Sequence, residues 1–98
     1  MPDVTTIIPP ATKRTVLVVD DERDLVDLIS YNLTRHGYGV LTALDGNDAL
    51  DVATKELPDL VFLDLMMPGI DGTEVARRLK SDPRTSQIPI VMLTAKGE

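Results

Sequence analysis

Short apolar runs alternate along this chain with segments of helical period. Thr15-Val16-Leu17-Val18-Val19 is a β-branched run that stops at Asp20-Asp21-Glu22. Leu60-Val61-Phe62-Leu63 stops as abruptly at Asp64, and Ile88-Pro89-Ile90-Val91-Met92-Leu93 stops at Thr94. Runs of this length, bounded by turn residues, suit strands buried on both faces. Pro89 fits the first residues of its strand, where no ladder donor is needed. Tyr38 to Leu44 alternates instead, which suits a strand nearer a sheet edge.

Between these runs the period changes. Leu25, Leu28, Ile29, Asn32 and Leu33 fall on one helical face between Glu22 and His36, with Gly37 as a left-handed stop. Asp45-Gly46-Asn47 opens a second amphipathic helix marked by Ala49, Leu50, Ala53 and Leu57 and closed by Pro58. Gly72 to Lys80 gives a third, with Val75, Ala76 and Leu79 inward and Ser81-Asp82-Pro83 as its end. Strands alternating with helices in this order predict an α/β fold: a doubly wound parallel sheet with helices on both faces and right-handed crossovers. The strand C-termini of such a sheet share one rim. Asp20, Asp21, Asp64 and Thr94, far apart in sequence, are expected to meet there.

At 98 residues the chain predicts one small domain, and 43% hydrophobic with 27% charged residues is ordinary for a globular protein. Sixteen acidic against ten basic residues leave a net charge of −6, which argues against a nucleic-acid surface. There are no cysteines, so disulfides, thiolate zinc sites and thiol catalysis are excluded. The stretch 1–13, with Pro2, Pro9 and Pro10, reads as a flexible leader without the basic start and apolar run of a signal peptide. No apolar segment has the length of a membrane span, and the expected location is cytoplasmic.

Carboxylates crowded at one rim repel unless a cation or protons neutralise them. Oxygen-only ligands point to a hard cation, and Mg²⁺ is favoured because it is typically held by one or two carboxylates, waters and a substrate phosphate. The loop after Asp64 does not follow the EF-hand ligand pattern, and no Gly-rich phosphate loop supports nucleotide binding. A carboxylate beside such a metal can act as nucleophile toward phosphorus and form an aspartyl-phosphate. Thr94 could then donate a hydrogen bond to a phosphoryl oxygen. Asp71 and Gly72 read as loop-shaping and capping residues, and Met66 and Met67 as loop packing. His36 reads as a helix-end residue rather than a phosphoacceptor.

Val-Leu-Val-Val-Asp20-Asp21-Glu22, then Asp59-Leu-Val-Phe-Leu-Asp64-Leu-Met-Met-Pro68-Gly69-Ile-Asp71-Gly72, then Ile88-Pro-Ile-Val-Met-Leu-Thr94-Ala95 together resemble the receiver domains of two-component response regulators. The resemblance covers residues 15–98 and implies a flavodoxin-like strand order. It implies that Asp64 takes a phosphoryl group from a histidine kinase or phosphotransfer protein, so that the chain is a signalling module and not a turnover enzyme. It implies Mg²⁺ held by Asp21, Asp64 and the Met66 backbone carbonyl, with Asp20 helping through water, and Thr94 as the switch hydroxyl. The stretch 79–98 is most similar to receivers attached to winged-helix DNA-binding domains of the phosphate-regulon class, which implies transcriptional output outside this chain.

Against the family pattern, the text stops at Glu98, before the family's fourth helix, fifth strand and fifth helix. The expectation is a truncated receiver over residues 14–98, lacking the fifth-strand lysine; Lys96 is on the wrong segment for that role. An uncovered fourth strand would be an apolar edge, open to pairing with a second copy. Two other readings compete. One is an interaction module that works without phosphorylation. The other is an aspartyl-phosphate phosphatase of the haloacid-dehalogenase type, which would need Asp-x-Asp where this chain has Asp20-Asp21-Glu22.

Overall fold

β-branched and aliphatic residues in unbroken runs have no polar face to give to water, and the strands they form pair side by side with one alternating strand in a single sheet. The computed structural model describes residues 14–93; the stretch 1–13 and Thr94 lie outside them. In chain order the elements are β1 (Thr15–Val19), α1 (Arg23–Arg35), β2 (Gly39–Ala43), α2 (Gly46–Glu56), β3 (Leu60–Asp64), α3 (Gly72–Ser81) and β4 (Ile90–Leu93). Every pairing is parallel and the strand order is β2-β1-β3-β4. This is the flavodoxin-like arrangement.

β1 lies between β2 and β3, which close its edges, while helices cover both faces, and Val16 to Val19 are at most 1% exposed. The faces separate by the two-residue period of a strand. Leu17 and Val19, with Val61 and Leu63 of β3, pack against Ala49 and Ala53 of α2 and Val75 and Leu79 of α3. Val16 and Val18 pack on the opposite face against Val26, Ile29 and Leu33 of α1. α1 lies mainly over β1 and β2, while Phe62 and Val91 continue the same face toward β4. Val91 is 42% exposed there, and β4 is the outer strand among the described residues.

The helix starts follow the acidic caps. Asp45 Oδ1 accepts the Asp48 N–H at 2.8 Å, and Asp71 Oδ1 accepts the Glu74 N–H at 3.0 Å. Each satisfies an otherwise unpaired donor of the first turn. Gly37 follows α1 with φ +91°, the left-handed stop expected from its position.

Three local expectations shift. The buried stripe of α1 runs through Val26, with Ile29 and Leu33, whereas Leu28 is 58% exposed and Asn32 is exposed. Two apolar rows share this helix, and periodicity alone does not choose between them. Leu57 does not face the core: it is the C-cap of α2, exposed, with φ +48°. The proline after it disfavours helical geometry at Leu57, and the Leu57 N–H closes the helix by donating to the Ala53 carbonyl. β4 begins at Ile90 rather than Ile88. The Ile88 N–H donates to Thr85 and its carbonyl accepts from Lys80 Nζ at 2.7 Å, so Ile88 belongs to the preceding turn.

The rotated face of α1 can be tested by urea unfolding. Val26→Ala is expected to cost about 2 kcal/mol, since two buried methyl groups leave a gap. Leu28→Ala should stay within about 0.5 kcal/mol of the parent chain. The reverse ranking would restore the stripe through Leu28.

Candidate functional site

In a parallel sheet the residues that follow paired positions leave the rim side by side. Val19 pairs with Leu63 in the β1–β3 ladder, so Asp20 and Asp64 come next on adjacent strands. Both are buried at 2% exposure, and Asp21 beside them is exposed. One carboxylate oxygen from each of Asp20, Asp21 and Asp64 lies within 4.8 Å of the other two. The structure thus brings together three of the four residues expected at the rim; Thr94, expected fourth, lies outside the described residues.

The two buried carboxylates are held in the same way. Asp20 Oδ1 accepts the Glu22 N–H at 2.9 Å, and Asp64 Oδ1 accepts the Met66 N–H at 3.0 Å. Each is an Asx turn, in which the side chain stands in for a backbone acceptor as the chain leaves its strand. The backbone is tied on either side as well: Asp20 N–H donates to the Ala43 carbonyl at 3.2 Å, and Leu65 N–H to the Leu93 carbonyl at 3.3 Å. Asp64 Oδ2, buried, has no hydrogen-bond partner among the described residues.

Burial pushes the Asp20 carboxyl above its ordinary range, and the negative charges of Asp64, Asp21 and Glu22 push the same way. The Glu22 N–H opposes them without cancelling them. A charged cluster with an unpaired buried oxygen is costly until a cation or a proton arrives. The donors are all oxygens, and exposed Asp21 leaves a path to solvent. The residues therefore fit a hard divalent cation.

Around this core the remaining expectations resolve individually. Met67 is buried in the sheet core at 7% exposure, while the Met66 side chain is 63% exposed and does not pack, contrary to expectation. Only the Met66 backbone belongs to the rim. His36 is the C-cap of α1, with Nδ1 2.8 Å from the Asn32 carbonyl, away from the carboxylates in the fold. Two residues carry more than their sequence context suggested. Asp59 Oδ2 accepts the Thr15 N–H at 2.8 Å while its own N–H donates to the Thr15 carbonyl, which fastens β1 to β3 at the end opposite the rim. Gly46 is buried against Ile70 of the β3–α3 loop. Neither signal is visible in a one-dimensional pattern, because each depends on a neighbour distant in sequence.

The model of the response regulator receiver domain family matches residues 16–98. Among solved structures, the chain is similar to the N-terminal domain of a response regulator receiver protein from Methanoculleus marisnigri. The two share 47% identity with a TM-score of 0.82, over 85% of this chain and 68% of that one. It is also similar to a chemotaxis protein of Vibrio cholerae, at 34% identity and a TM-score of 0.82, over 88% of this chain and 72% of that one. Family match, strand order and the gathering of Asp20, Asp21 and Asp64 at one rim agree, and the chain belongs to the response regulator receiver domains of two-component signalling.

Proposed function

We propose that this receiver domain accepts a phosphoryl group on Asp64 in a Mg²⁺-dependent reaction, with a histidine kinase or phosphotransfer protein as donor. The observation that carries the reading is the buried Asp64 Oδ2, without a hydrogen-bond partner among the described residues, on a carboxylate gathered with those of Asp20 and Asp21. Asp64 Oδ1 is committed to the Met66 N–H, so Oδ2 is the atom assigned to attack phosphorus. A P–O bond forms there as the donor's P–N bond breaks, its electron pair returning to the imidazole. Asp20, Asp21, Asp64 and the Met66 carbonyl would hold the ion, which when bound neutralises charge on the phosphoryl oxygens. Thr94 is assigned as the switch hydroxyl on the strength of its place directly after β4 in sequence.

Receiver domains are signalling modules, and in this reading the phosphoryl group changes which surfaces the domain presents to an output outside the chain. The likeness of 79–98 to winged-helix regulators supports transcription as that output, without direct nucleic-acid contact by this acidic segment. In this reading the setting is cytoplasmic. No helix among the described residues is long and apolar enough to cross a membrane. The domain also self-associates in this reading, through β4, the outer strand among the described residues. That strand has no charged residue and exposes Val91, and a two-fold pairing would satisfy both edges at once.

Phosphodonor labelling tests the acceptor. With Mg²⁺ and a small acyl phosphate, a hydroxylamine-labile label is expected on the parent chain and absent from Asp64→Asn or after chelation. Label retained in Asp64→Asn would overturn the assignment. Continuous turnover of phosphate esters would favour the phosphatase reading, and partner binding indifferent to Asp64→Asn the phosphorylation-independent one.

Asp20 tests the metal. Its folded-state pKa is raised, so its charge opposes folding fully above that pKa, and the opposition fades as pH falls through it toward 3.8. Asp20→Asn keeps the acceptor for Glu22 and removes the charge. Without divalent cation at pH 7 this variant is expected to melt higher, each 1 kcal/mol relieved being worth about 4–8 °C in a domain of this size. The gain should shrink as pH is lowered, and added Mg²⁺ should raise Tm more in the parent than in the variant. A variant that melts lower at pH 7 would contradict a strained carboxylate cluster. For the β4 edge, light scattering is expected to give a concentration-dependent dimer that Val91→Lys weakens; a monomer at all concentrations rejects it.

A further inference from the structure

Two kinds of glycine occupy the turns around the rim. Gly69 has φ +75° and open space where a Cβ would stand, so its backbone conformation is what requires glycine. Gly72 and Gly46 are not among the positive-φ residues; space is what excludes a side chain from them. A Cβ on Gly72 would overlap the carbonyl oxygen of Asp64 and stand 2.8 Å from Leu65 Cα. The Gly72 N–H also donates to the Leu65 carbonyl at 3.1 Å, which closes residues 65–72 into a ring on the end of β3. A Cβ on Gly46, the first residue of α2, would stand 2.8 Å from the Ile70 carbonyl oxygen, 3.0 Å from Ile70 Cβ and 2.9 Å from Val75 Cγ2. The far side of the ring therefore rests on the start of a different helix.

We infer that Gly46 is a positioning residue for Asp64: by letting α2 touch the Ile70 backbone, it holds the β3–α3 ring in the place where the Met66 N–H orients the Asp64 carboxylate. The chain of contacts is continuous. Gly46 meets Ile70, Ile70 lies in the ring closed by Gly72 and Leu65, and Met66 in that ring donates to Asp64 Oδ1 at 3.0 Å. The obstacle to a larger residue includes a backbone oxygen, which no rotamer change can move aside. A side chain at position 46 must shift the ring or the helix. The atoms nearest a Cβ at position 46 belong to Ile70 and Val75 and not to the site's carboxylates, and its effect on the metal passes through the loop.

The inference rests on the proposed metal and phosphoryl site, and two readouts keep the two separable. In Gly46→Ala, Mg²⁺ affinity measured by calorimetry is expected to fall by about tenfold, the scale of losing an orienting contact behind a metal ligand. Amide hydrogen exchange at Met66, measured without metal, should speed up in the same variant. Gly37→Ala is the control: it strains a left-handed position with nothing within 4 Å and should lower stability while leaving Mg²⁺ affinity and Met66 exchange at parent values. Ile70→Ala, which removes packing instead of adding bulk, should weaken Mg²⁺ binding and speed Met66 exchange if Gly46→Ala does not fold. Unchanged Met66 exchange in whichever of the two folds, or equal Mg²⁺ losses in Gly46→Ala and Gly37→Ala, would overturn the inference. A parent chain that binds no Mg²⁺ would sink the site's proposed chemistry, while the exchange data would still decide the role of Gly46.

Discussion

Two carboxylates buried side by side at the ends of adjacent strands are the constraint to which the rest of this domain answers. Charges within 4.8 Å repel by roughly 3 kcal/mol at an effective dielectric of about 20. A fully buried aliphatic side chain contributes about 1.5–3 kcal/mol each. β1 alone places Val16, Leu17, Val18 and Val19 at 1% exposure or less, so the sheet can carry the cluster without a bound ion. What it cannot do is make the cluster comfortable. The Asp20 carboxyl stays displaced above its ordinary range, and Asp64 has a buried oxygen with no hydrogen-bond partner among the described residues. The tension stays local because Asp20 follows, and Asp64 ends, a strand locked by ladders on both of its sides.

That locking explains which parts of the molecule were readable from the amino-acid sequence. A strand covered on both faces needs apolar residues throughout, and β1 and β3 announced themselves by that run and by the acid that ends it. Asp45 and Asp71 were readable because a cap acts within three residues of itself. α1 was readable as a helix but not in its rotation. Leu25, Leu28 and Tyr31 form one apolar row and Val26, Ile29 and Leu33 another, and only the docking of the helix on β1 and β2 decides between them. The start of β4 was hidden for a related reason. Lys80 reaches across eight residues to the Ile88 carbonyl, and Thr85 Oγ1 donates to the Leu79 carbonyl at 2.6 Å, so a turn held by α3 claims residues with strand-like composition.

The candidate site divides along the same line. That Asp20, Asp21 and Asp64 share a rim follows from parallel topology, and topology follows from element order. How the acids are oriented does not. The matching Asx turns at Asp20 and Asp64 become visible only when Glu22 and Met66 are seen turning back beneath them. Asp59 carries no sign in the pattern that it clasps Thr15. A three-dimensional neighbour is the missing variable in each case, and no window on the sequence supplies it.

The two Asx turns also bear on why the cluster sits at strand ends and not within strands. Inside a ladder a backbone N–H is committed to the neighbouring strand and cannot orient a carboxylate. One residue beyond the ladder the chain turns, and the N–H two positions on becomes available to the side chain. Asp20 and Asp64 each use that donor to fix one oxygen, which leaves one oxygen per carboxylate outside the turn. A carboxylate fixed in this way gives up little further freedom when something binds, which lowers the entropic cost of binding. Burial holds the same group at a distance from water, so each opposite charge brought to it acts through a poorer screen. The rim therefore combines order with electrostatic need. Both come from one choice in the sequence: an acid placed where an apolar strand stops.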